Sequence, residues 1–121
     1  MFDWEILSLE EKLGQLICVR YPENWPLIEK MLAEGKIGAV SYRFPDKSNE
    51  ETADFINRLQ RISRYPLIVG WYIPQGTKFP VYMALGATRS AELAYLYGQV
   101  LTRESKAVGY NWIPGPNLDI N

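Results

Sequence analysis

The strongest constraint on the fold of this chain is an alternation between capped helical stripes and short, unbroken apolar runs. Ser8-Leu9-Glu10-Glu11 and Ser48-Asn49-Glu50-Glu51 each place a hydroxyl three residues before a carboxylate. In that pattern each side chain bonds the other residue's backbone amide and starts a helix. Leu9, Leu13 and Leu16 follow the first box at helical spacing, and Ala53, Ile56, Leu59 and Ile62 follow the second. A further helix is predicted behind Pro26, with Ile28, Met31 and Leu32 as its stripe and Gly35 as its left-handed stop. A long one is predicted after Thr88 or Ser90, with Leu93, Leu96, Tyr97, Val100, Leu101 and Val108 on its inner face and Gly109 at its end.

Between these stripes lie the apolar runs. Leu16-Ile17-Cys18-Val19, residues 36–42, Pro66-Leu67-Ile68-Val69-Gly70-Trp71-Tyr72 and Tyr110-Asn111-Trp112-Ile113 read as four strands. Their apolar residues are continuous rather than alternating, which suits strands covered on both faces. Strands that alternate with helices build a parallel sheet with helical crossovers. The fold class expected is therefore α/β, with about four parallel strands and intervening helices. No linker, repeat or low-complexity stretch divides residues 1–121, so a single domain is expected.

Composition excludes several kinds of chemistry. The sequence has no His, so no histidine base, His-held metal or Ser-His triad exists within it. Cys18 is the single cysteine, which excludes an internal disulfide and a thiolate metal cluster. Thirteen basic against 14 acidic residues give a formal charge of -1. That balance offers no positive excess for nucleic acid or for an anionic membrane surface. No apolar run approaches the ~20 residues of a membrane span. The lone thiol and the acidic N-terminal segment point to a cytoplasmic protein.

Parallel α/β sheets carry their sites at the carboxyl ends of the strands. The candidates there are Arg20 and Tyr21, Tyr42 and Arg43, residues 71–75, and residues 117–121. Aromatic rings, amides, arginines and one carboxylate suit a polyhydroxylated ligand. The alternative is that Trp71 and Tyr72 pack in the core and that Arg20 and Arg43 are solvated. Asp119 is the one carboxylate placed at a strand end. Glu92 and Glu104 lie on the long helix, and Asp46 sits in a loop ahead of a cap. Gly35, Gly38 and Gly70 lack the spacing of a phosphate-binding loop.

Several segments together resemble the N-terminal domain of family 3 glycoside hydrolases, of the β-N-acetylhexosaminidase or β-glucosidase type. They are Leu9-Glu10-Glu11-Lys12-Leu13-Gly14-Gln15-Leu16, Gly35-Lys36-Ile37-Gly38-Ala39-Val40 and Met83-Ala84-Leu85-Gly86-Ala87-Thr88. Gly109-Tyr110-Asn111-Trp112 and Pro116-Asn117-Leu118-Asp119-Ile120-Asn121 complete the set. The resemblance implies a (β/α)8 TIM-type barrel. A whole barrel takes about 250 residues, so this sequence corresponds to roughly its first half, a partial domain.

The resemblance further implies retaining hydrolysis of β-linked terminal sugars, without metal or organic cofactor. The family's nucleophile, acid/base group and His-containing segment come from later strands, so no catalytic residue is carried over to this chain. Asp119 matches a family Asp close to the sugar pocket, with a local turn or capping role as the alternative. Where the family has Asp-x-Glu-Gly-Gly after strand three, this chain has Tyr72-Ile73-Pro74-Gln75-Gly76. Tyr72 replaces a carboxylate that accepts two hydroxyls with a phenol that stacks and donates once. Asp119 and Tyr72 are thus the substrate-binding candidates. Two readings follow. The first is the N-terminal portion of a glycosidase that binds carbohydrate. The second is a non-catalytic half-barrel whose open sheet edges are covered by a second copy or a complementing chain.

Overall fold

A computed structural model of the chain describes residues 4–20, 24–41, 47–71 and 82–115. Helix α1 (Leu9–Gln15) leads into β1 (Cys18–Arg20), and α2 (Trp25–Ala33) into β2 (Ala39–Ser41). Helix α3 (Asn49–Ile62) leads into β3 (Ile68–Gly70), after which α4 (Tyr82–Ala87) and α5 (Ala91–Val108) complete the order. The strands form one parallel sheet in the order β1-β2-β3. Parallel neighbours in chain order, with helices as the crossovers, are the arrangement of a half TIM-type barrel.

The helix starts follow from their caps. The Ser8 hydroxyl accepts from the Glu11 amide at 3.2 Å, and the Glu11 carboxylate accepts from the Ser8 amide at 2.9 Å. Ser48 and Glu51 repeat this at 3.2 and 2.7 Å. Asn24 caps α2 and Ser90 caps α5. Gly35 and Gly109 close their helices at φ 73° and 104°, which only glycine adopts without cost.

The core lies between the sheet and α2 and α3. Leu32 from α2, Ile56 and Leu59 from α3, and Leu67, Val40 and Val69 from the sheet are almost wholly buried. Each such side chain contributes about 1.5–3 kcal/mol relative to exposure. Trp25 and Phe55 meet edge to face, with centroids 4.8 Å apart, and seal the α2–α3 seam.

Three expectations are corrected. The fourth strand is reduced to one parallel bridge, Gly70 to Trp112, because an Asn111 side chain takes the place of ladder hydrogen bonds beside β3. Leu16 and Ile17, expected as the start of a covered strand, precede β1 and are exposed, as are Leu9 and Leu13 of α1. On α5, Leu101 and Ser105 are buried, whereas Leu93, Leu96 and Val100 are exposed.

Candidate functional site

Side chains alternate across a strand, and in-register residues of parallel strands share a face. Val19, Val40 and Val69 are in register, and they pack within or against the core on the helix side. The residues flanking them turn the other way. Cys18, Ala39 and Ile68 form one row on that opposite face, and Arg20, Ser41 and Gly70 form the next. The second row stands at the carboxyl ends of the strands, where parallel α/β sheets carry their sites.

Trp112 extends that row. Its backbone bridges to Gly70, and its indole covers the glycine. A Cβ on Gly70 would stand 2.5 Å from Trp112 Cε3 and 2.8 Å from the Trp112 carbonyl oxygen, so only glycine admits this approach. Trp112 remains 40% exposed, leaving ring surface open. The row thus joins a guanidinium, a buried hydroxyl, a bare backbone position and an indole. Donors beside an aromatic ring suit a polyhydroxylated ring. Among the described residues the row carries hydrogen-bonding groups and a ring but no carboxylate.

In the neighbouring row, partial removal from water pushes the Cys18 thiol up in pKa. The Ser41 backbone and the Arg20 charge partly offset this. The thiol is therefore the protonated, weakly nucleophilic form at neutral pH. Among the described residues no three of Cys, Asp and Glu converge as a metal-holding group.

Among the described residues the most perturbed carboxylate sits at the other end of the strands. Glu11 Oε1 accepts from the Tyr65 hydroxyl at 2.6 Å and pairs with Arg64 Nη2 at 2.9 Å. These contacts, with those of Ser8, hold Glu11 down at about 2. Arg64 and Tyr65 lie in the segment leading into β3, so the cluster ties α1 to the amino ends of the strands. That end of such a fold bears on stability rather than chemistry.

Of the residues expected from sequence at the strand ends, Arg20 closes β1 and Trp71 follows β3, partly buried. Tyr72 and Asp119 lie outside the described residues, as do Tyr21, Tyr42, Arg43, Gln75 and Asn117. Glu92 and Glu104 are exposed on α5, away from the strand ends. Ser41 and Trp112 escaped the sequence reading. The signal that finds them is the period of two counted from buried Val40 and Val69, together with the parallel register.

Residues 8–121 match the family described as glycosyl hydrolase family 3 N terminal domain. The chain is also similar to a beta-N-acetylglucosaminidase/beta-glucosidase of Cellulomonas fimi, with 30% identity over 121 residues. That match covers 93% of this chain and 21% of the relative, so the chain spans about a fifth of that protein's length.

Proposed function

This chain belongs to the glycosyl hydrolase family 3 N-terminal domain family, and on that premise we propose that it forms the sugar-binding front part of a glycosidase barrel. The reaction proposed is retaining hydrolysis of a β-linked terminal sugar, in which one carboxylate attacks and a second acts as acid and then base. The observation that carries the reading is the row Arg20, Ser41, Gly70 and Trp112 at the carboxyl ends of the strands. In this reading the row forms one wall of the pocket. Asp119 accepts sugar hydroxyls, and Tyr72 stacks or donates where the family has a carboxylate.

No catalytic residue is assigned to this chain; the nucleophile and the acid/base group belong to barrel segments that its sequence does not contain. The partner proposed is carbohydrate, with neither nucleic acid nor membrane, and the compartment proposed is the cytoplasm. No cofactor is assigned. The test is incubation of the purified chain with chromogenic β-glucoside and β-N-acetylglucosaminide. The reading expects no turnover by the chain alone, and measurable turnover would overturn the assignment of catalysis to other segments.

A second reading is favoured by one observation. Leu9, Leu13, Leu16 and Ile17 are exposed at 74, 54, 82 and 48%, and β1 is an edge strand of the described sheet. An unpaired strand edge and an exposed apolar stripe are each association surfaces. We propose that they are covered by further barrel elements, or by a second copy if the protein acts as a non-catalytic half-barrel. Sedimentation over a concentration series separates these: the second-copy reading requires a dimer, and a monomer at all concentrations rules it out.

A further inference from the structure

The Asn111 carboxamide behaves as part of the sheet. Its Oδ1 accepts from the Val69 amide at 2.8 Å, and its Nδ2 donates to the Leu67 carbonyl at 2.9 Å. The backbone amides of Asn111 and Trp112 both donate to the Val69 carbonyl, at 3.0 and 3.2 Å. Side chain and backbone of one residue therefore hold three polar groups along β3. A side chain fixed at two atoms cannot slide along the strand, so the clamp sets where the following residue stands. That residue is Trp112, and the position opposite it is Gly70, the bare backbone that lets the indole close to contact. Arg20 and Ser41 continue the same row.

We infer that Asn111 is a positioning residue whose clamp holds the Trp112 indole over Gly70 as the platform on which the apolar face of a sugar ring stacks. The inference rests on the carbohydrate reading above and names the surface that carries it. Stacking removes the ring face from water, while Ser41 and Arg20 bond hydroxyls at the ring edge. Rigid support behind the contacting ring is what makes such a platform selective.

The test follows the four tryptophan indole N–H resonances of the chain while N-acetylglucosamine, and separately glucose, is titrated in. Trp112→Leu identifies the Trp112 signal. Asn111→Asp keeps the acceptor toward Val69 and removes the donor toward Leu67, so it loosens the clamp with little change in shape. The expected result is a saturable shift of the Trp112 signal in the unaltered chain. Trp112→Leu then abolishes binding. Asn111→Asp weakens it about tenfold or more while the melting transition stays cooperative. A merely structural Asn111 would lower the melting temperature and leave the sugar titration unchanged. Unchanged binding in either variant overturns the platform and leaves the carbohydrate reading standing. No binding by the unaltered chain overturns both.

Discussion

The Tyr65 hydroxyl donates to Glu11 Oε1 at 2.6 Å and so fastens the first turn of α1 to the segment entering β3. Tyr65 is the largest cause of the low Glu11 pKa, ahead of the Ser8 amide and hydroxyl and the Arg64 charge. A carboxyl held at about 2 when folded and near 4.3 when unfolded adds stability that is present above the unfolded value. That stability is lost as pH falls toward the folded value. Glu34 and Glu51 are lowered too, by Lys36 and by Ser48, so they add to the same slope. The prediction is therefore a difference. The melting temperature of the unaltered chain falls between about pH 4.5 and 2, and Glu11→Gln melts lower at pH 7 with a flatter fall in that window. Parallel curves for the two proteins would contradict it.

The reciprocal shift gives a second prediction. Tyr65 is raised, chiefly by its bond to Glu11. A group raised in the folded state contributes stability below its unfolded pKa, and that is lost as pH climbs through the folded value. Tyr65→Phe should remove this alkaline loss above about pH 10 and, by freeing Glu11, part of the acid loss as well. Thermal melts from pH 8 to 11 check the first effect.

Gly70→Ala should destabilise the protein by about 1–3 kcal/mol, the usual cost of overpacking. The new methyl would stand 2.5 Å from the Trp112 ring and 2.8 Å from its carbonyl, so ring and backbone must both move. Urea unfolding measures the loss. The same substitution should also change the Trp112 indole environment.

Leu32→Ala should cost about 2–5 kcal/mol, since Leu32 is 1% exposed among Ile28, Ile37 and Leu59. Leu13→Ala removes a side chain of the same size that is 54% exposed. It should change stability by less than about 0.5 kcal/mol. If the α1 stripe is covered in solution, Leu13→Ala costs more than that, and denaturant midpoints report which holds.

Much of this fold is legible in the sequence because local rules and burial agree. In α3, the Ser48–Glu51 box starts the helix, and Ile56 and Leu59 bury the stripe that its spacing announces. Gly109 stops α5 as expected. Periodicity reports that a helix has an apolar side, not what covers it. The first half of α5 therefore reads as interior and stands exposed. The fourth strand misled for another reason. Tyr110-Asn111-Trp112-Ile113 has strand composition, but the Asn111 carboxamide replaces the second rung of the ladder. The candidate site was legible only at Arg20. Ser41 and Trp112 join it through register, which pairs residues distant in sequence, and Tyr72 and Asp119 lie outside the described residues.

The central claim is that sugar binds at the carboxyl ends of the strands. Its most direct measurement is a backbone amide map of the unaltered chain titrated with N-acetylglucosamine. The account predicts saturable shifts concentrated at Arg20, Ser41, Gly70 and Trp112, with Glu11, Lys36 and Tyr65 at the opposite end unmoved. Shifts centred on that opposite end, or none at any residue, would contradict it.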